Sequence, residues 1–178
     1  DLEMAVSFIM DYLATRDDVD QGRIAILGDG SGSFVARAVA LDDRFAAAVC
    51  DGGMWDLQER AFLARHGAPL DAGSIAVPKS RIAPNLKCPV LLTIGEHGWL
   101  EPERANFLFE QLRSDHPDLT LKIFAAEETA ASQGHADNPT LANEFIFDWI
   151  SDQLERVAVQ TDGARSAVKP CSSGLRAS

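Results

Sequence analysis

Residues 23–33 read RIAILGDGSGS, an apolar run leading straight into three glycines at alternate positions, Gly28, Gly30 and Gly32. Two kinds of reactive loop occupy such a place between a strand and a helix. One is the dinucleotide-binding turn, G-x-G-x-x-G, whose glycines let a pyrophosphate come close to the backbone. The other is the nucleophile elbow, G-x-S-x-G, a strained turn that lifts a serine above the sheet. The spacing fits both. The residues complete neither: the third dinucleotide glycine falls on Ser33, and the elbow serine falls on Gly30.

Outward from this turn, LEMAVSFIMDYLA (2–14) places Leu2, Ala5, Val6, Ile9 and Leu13 at helical spacing, and SGSFVARAVAL (31–41) predicts a helix turning Phe34, Val35, Ala38 and Val39 inward. RIAIL (23–27), FAAAVC (45–50), CPVLLTIG (88–95) and LTLKIF (119–124) are short continuous apolar runs, read as buried strands. Helices are expected over PERANFLFEQLRSDH (102–116), with Pro102 in its first turn, and over PTLANEFIFDWISDQLERV (139–157). After Val159 the periodicity ends, and 158–178 reads as a disordered tail behind one domain, 1–157. Alternating strands and helices predict the α/β class, a parallel sheet with helices on both faces. Ligands bind such sheets at the carboxyl ends of the strands. Here those ends are the loops 28–33, 51–53, 95–101 and 125–135, which should converge.

A chain of 178 residues suffices for one domain with a real core, and its net charge of −11 opposes phosphate backbones and anionic bilayers. Nucleic acid and membrane are therefore not expected partners. No apolar run reaches the roughly 20 residues that span a bilayer. Cys50 and Cys88 lie in strand-like surroundings and Cys171 in the tail, so buried free thiols and a reducing cytoplasm are expected. No His, Cys, Asp and Glu set has metal-ligand spacing, and neither a metal nor a cofactor is expected.

The dinucleotide reading has one further support, Asp51, about 20 residues on, where a ribose-binding acid belongs. Against it stand Ser33 and the acid Asp29 inside the turn. The elbow reading gains from the rest of the chain. VDQGRIAILGDGSGSFVARAVALDDRFAAAVCDGG resembles the elbow region of the α/β-hydrolase family, from its Asp-x-x-Arg-Ile lead-in to its R-F-A-A-A-V strand. CPVLLTIGEHGWLEPERANFLFEQL resembles that family's acid-bearing strand, and EETAASQGHADNPTLANEFIFDWISDQL its histidine loop and closing helix. The likeness is nearest to the FrsA-like group, which includes fungal polyketide-shortening hydrolases and 2,6-dihydroxypseudooxynicotine hydrolases. It is also similar to dienelactone- and acyl-peptidase-like serine hydrolases, covers about 1–157, and follows the family's order of nucleophile, acid and histidine.

The resemblance implies a triad, and this chain departs from it at two positions. Gly30 stands at the nucleophile and Gly98 at the acid of G-E-x-D; only His135 stands where the family has its residue. Without a hydroxyl there is no acyl-enzyme, and without an acid the imidazole tautomer is not fixed. Replacements are available, each with a plainer reading. Ser31, next to the tip, is either a displaced nucleophile or a helix N-cap. Ser33 reads as a small packing residue. Asp51 is either a relocated acid, as in some α/β-hydrolases, or a turn residue. Glu101 reads as a charge beside a helix N-terminus, Glu96 and His97 as rim residues, Asp42–Asp43 and Glu127–Glu128 as solvated loop charge, and His66 and His116 as surface histidines.

In the family, a cap over the site is inserted where residues 54–87 lie, so Trp55, Phe62 and Leu63 are either pocket lining or core. The family's elbow also follows several earlier strands, one of whose loops gives an oxyanion N–H; here only the N–H of Ser31 remains. A strand that is central in the full sheet would have a bare edge. The chain therefore reads as the C-terminal half of a longer protein, as a homodimer partner, or as a degenerate remnant. Three functions stay open: a serine-hydrolase-like enzyme for esters, amides or carbonyl-adjacent C–C bonds, impaired in catalysis; a non-catalytic small-molecule-binding pseudohydrolase or truncated fragment; and an NAD-type dinucleotide binder.

Overall fold

Four parallel strands, β1 (Ala25–Gly28), β2 (Ala47–Asp51), β3 (Val90–Gly95) and β4 (Leu119–Phe124), form one sheet in the order β1-β2-β3-β4. The computed structural model describes residues 2–56, 58–61 and 82–167, leaving aside the side chains of 160–167. Every residue of β2 and β3 is buried, which is why these strands read as continuous apolar runs rather than alternating ones. Their side chains alternate between two cores. Ala48, Cys50, Val90 and Leu92 pack with Met10 of α1 (Leu2–Leu13), Val35 and Val39 of α2 (Gly32–Leu41), and Leu108 and Leu112 of α3 (Pro102–Asp115). On the other face, Val49 and Leu91 meet Ile146, with Phe145, Trp149 and Ile150, of α4 (Pro139–Ala167). Burying each such aliphatic side chain contributes about 1.5–3 kcal/mol before chain entropy is counted. The expected fold class is thus the observed one.

Several expectations are corrected. In α1 the inward residues are Val6, Met10 and Leu13, whereas Leu2 is 74% and Ile9 56% exposed. The helix is apolar on most of its circumference, so periodicity alone cannot say which stripe faces the core. His116 is buried rather than superficial, with Nε2 3.0 Å from the carbonyl of Cys88 at the end of α3. Asp42 is buried against Arg44, and Glu128 pairs with Lys122 at 2.9 Å, so neither is merely solvated charge. Helix α4 continues to Ala167, beyond the expected end at 157. The rest of the expected tail, including Cys171, lies outside the described residues, as do Phe62, Leu63, His66 and most of the cap-like stretch. Cys50 and Cys88 are free and buried as expected.

Strand β1 ends the strand order, and its outer edge pairs with no strand among the described residues. Leu27, on this strand, is 37% exposed. The expected bare edge is therefore present among the described residues.

Candidate functional site

The four strand-end loops do converge, and hydrogen bonds join them. The N–H of Gly30 donates to Asp51 Oδ2 at 2.8 Å, linking the first loop to the second. Trp99 Nε1 donates to the carbonyl of Gly52 at 2.9 Å, linking the third to the second. His97 forms a bridge with Ser132, its N–H donating to Ala131 O at 2.8 Å, which joins the third to the fourth.

At the first loop the three glycines are not equivalent. A Cβ at Gly32 would lie 2.5 Å from Gly53 O and 2.6 Å from the carbonyl carbon of Cys50, and one at Gly28 would lie 2.5 Å from Val35 Cγ2. Gly32 is required by the close seating of α2 against the end of β2, and Gly28 by the approach of Val35 and Ser31. Gly30 is different: it has φ +61°, and a side chain starting there would meet nothing within 4 Å. The turn holds the left-handed backbone of an elbow, with room for a side chain it lacks. Ser31 follows, exposed, at the N-cap of α2, but its hydroxyl makes no capping bond. The plain N-cap reading thus holds for position and not for bonding.

Asp51 ends β2 with 3% exposure, yet its carboxylate is well supplied with donors. Oδ1 accepts from Thr93 Oγ1 at 2.8 Å, and Oδ2 from Gly30 N–H. His135 Nε2 approaches Oδ1 to 2.9 Å, both side chains being almost fully enclosed. At 2.9 Å the contact is close but makes no aligned hydrogen bond, and it is an ion pair when the ring is protonated. Nδ1 lies 2.7 Å from the carbonyl of Ala130, which can only accept, so Nδ1 carries a proton. A neutral ring would then turn a lone pair toward the Asp51 carboxylate. The doubly protonated ring removes that repulsion.

The electrostatics agree. Burial is the largest influence on His135 and pushes its pKa down, but Asp51 and the Ala130 carbonyl outweigh it and leave it above the ordinary 6.5. Burial likewise pushes Asp51 up, and His135, the Gly30 N–H and Thr93 together bring it below the ordinary 3.8. Both shifts favour the charged form of the pair.

The loop bearing His135 is strained. Thr129, Ala130 and His135 have φ of 66°, 57° and 54°, where side chains cost roughly 1–2 kcal/mol each. Asp137 holds the loop: its carboxylate accepts from Ala131 N–H (2.9 Å), Ser132 N–H (3.0 Å) and Ser132 Oγ (2.6 Å). Ser132 first, with those N–H groups, lowers the Asp137 pKa to about 2. Asn138 ties Thr129 through Nδ2 to Oγ1 at 2.7 Å, and Phe124 meets the imidazole edge-on at 4.6 Å.

At the expected acid position, Gly98 donates its N–H to Gly95 O, and a Cβ there would press to 2.9 Å on that same oxygen. That place is closed to an aspartate, not merely empty of one. Among the other candidates, Glu101 is exposed at the N-cap of α3 without a side-chain cap bond, and Glu96 Oε2 accepts from Ala126 N–H at 2.7 Å. Trp55 is 5% exposed and stacks over Gly53 and edge-on to Trp99 at 5.9 Å, which makes it core. For a dinucleotide, the carboxylate seated on the Gly30 N–H stands where a phosphate would have to come, and like charges repel there.

Four residues of the site were not read from the sequence. Thr93, a hydroxyl inside the apolar run VLLTIG, carried a signal in its polarity, as did Asp137 in the turn-forming A-D-N. Trp99 and Arg60 carried none. Arg60 Nε donates to Trp55 O at 2.9 Å and Nη2 to Gly52 O at 3.2 Å, and its guanidinium lies 5.0 Å above the Trp99 ring.

No family model and no curated protein sequence matches the chain. Solved structures do. The 2,6-dihydroxy-pseudo-oxynicotine hydrolase is similar at 19% identity and TM-score 0.61, over 86% of this chain and 46% of its own. The Pyrococcus furiosus esterase Pf2001 is similar at 17% identity and TM-score 0.57, over 87% and 59%. Est1E from Butyrivibrio proteoclasticus is similar at 15% identity and TM-score 0.58, over 86% and 69%. The chain spans about half the length of the first two. At these identities the likeness is one of fold, and the fold is that of the α/β-hydrolases.

Proposed function

We propose that the chain is a hydrolase-fold protein derived from a serine hydrolase of esters, amides or carbonyl-adjacent C–C bonds, and that its strand-end site binds a small molecule with catalysis impaired. The observation that carries this reading is the state of His135. Both ring nitrogens face other groups, Nε2 the Asp51 carboxylate at 2.9 Å and Nδ1 the Ala130 carbonyl at 2.7 Å, so in this arrangement neither is turned to a nucleophile. The absent side chain at Gly30 supports the same reading, and so does the closed acid position at Gly98. Asp51 is then an anchor for the elbow backbone and for His135. A reducing, cytoplasmic setting fits the free buried thiols, and no helix among the described residues is long and apolar enough to cross a membrane.

A second reading, the working enzyme, is favoured by one observation: the exposed Ser31 hydroxyl beside the elbow makes no capping bond. Fluorophosphonate labelling with mass-spectrometric site mapping separates the two. The expected result is an unlabelled native chain. Label on Ser31 would establish a displaced nucleophile and overturn the impaired reading.

A further inference from the structure

At the rim of the site, Arg60 carries a half-buried positive charge that no carboxylate among the described residues answers. Partly buried charges are normally paired, and an unpaired one is costly. This guanidinium is held rigid all the same. Nε and one Nη2 proton are spent on the carbonyls of Trp55 and Gly52, and the plane lies over the Trp99 ring. The Gly52 carbonyl is itself fixed by Trp99 Nε1. Burial presses on the charge, relieved in part by the field of Asp51, one residue before Gly52. The two Nη1 protons have no partner among the described residues. Nearby acids are occupied: Asp56 Oδ1 accepts from Gln58 and Glu59 N–H groups, and Glu59 Oε2 accepts from Asp56 N–H.

We propose that Arg60 is the recognition residue of the site, and that its ligand is an organic monocarboxylate whose apolar body lies against the half-buried Trp99. The inference rests on reading the site as a binding site, and it adds the ligand's chemical class. A planar guanidinium offers carboxylates a geometry that a water-facing ammonium does not. Orientation by backbone carbonyls and an indole face removes the rotamer freedom an exposed arginine would lose on binding. One negative charge suits the place better than two, because the ionised Asp51 stands beside it and the chain is acidic throughout.

The test uses the full chain and matched probes: hexanoate against hexanamide, and phenylacetate against phenylacetamide, by isothermal titration calorimetry at low salt. Each acid is expected to bind at least about ten-fold tighter than its amide. Arg60→Gln is expected to bring that ratio near one, and Arg60→Lys to keep only part of it. Native chain that binds acid and amide alike, or binds none of the four, overturns the proposal without need of a variant. A preference that survives in Arg60→Gln overturns the assignment to Arg60. Label on Ser31 with fluorophosphonate would instead sink the impaired reading, a mass shift independent of any acid preference.

Discussion

His135 and Asp51 meet through a different ring nitrogen from the one a catalytic acid holds in a triad. In a working triad the acid takes Nδ1 and leaves Nε2 facing the nucleophile. Here Nε2 turns to the acid and Nδ1 to a carbonyl. Removing one partner of a buried pair strands the other charge, at a cost of about 3–5 kcal/mol. Asp51→Asn should therefore unfold at markedly lower urea than the native chain. The sign of its pH dependence follows from the two shifts. The lowered Asp51 pKa contributes stability that is present above 3.8 and lost as pH falls through the folded value. The raised His135 pKa contributes stability fully present below 6.5 and lost as pH rises through its folded value. The gap between native chain and Asp51→Asn should be widest between those two values and narrow on either side. Urea midpoints at pH 3, 5.5 and 9 would check it.

At the level of elements, the turn between β1 and α2 separates a glycine that packing demands from one that it does not. Gly32→Ala would drive a Cβ to 2.5 Å from the Gly53 carbonyl, a backbone atom that cannot swing away. It should cost upwards of 3 kcal/mol, at the top of the range for overpacking or beyond. Gly30→Ala meets no neighbour and bears only the left-handed backbone, roughly 1–2 kcal/mol. Thermal melts of the two variants would rank them, and equal losses would contradict this account of the turn. The same turn shows what was legible in the sequence. The strands could be read because buried parallel strands are continuously apolar, and the glycine spacing marked the loop. The pairing of Asp51 with His135, 84 positions apart by number, was only one of two balanced readings, since a D-G-G turn and an acid ligand look alike in one dimension. Arg60 was invisible, because its partners are backbone carbonyls, which leave no trace in residue type.

For the whole molecule, the edge of β1 and the apolar outer face of α1 are the unfinished parts. Phe8, Ile9 and Tyr12 are each more than half exposed, as is Leu2, and among the described residues no strand pairs with the outer edge of β1. The chain should associate as its concentration rises, and Leu27→Lys, placing charge on the edge strand, should weaken that association in sedimentation velocity; a monomer at all concentrations would contradict the expectation. Whatever covers that edge, the proposed function turns on the contact between Asp51 and His135. The most direct measurement is nitrogen-15 NMR of the His135 imidazole across a pH titration. Both ring nitrogens should be protonated at neutral pH, with a pKa above 6.5 that falls in Asp51→Asn. A neutral ring at pH 7 with an unprotonated Nε2 would mean that a base is free at the elbow, and the impaired reading would fall.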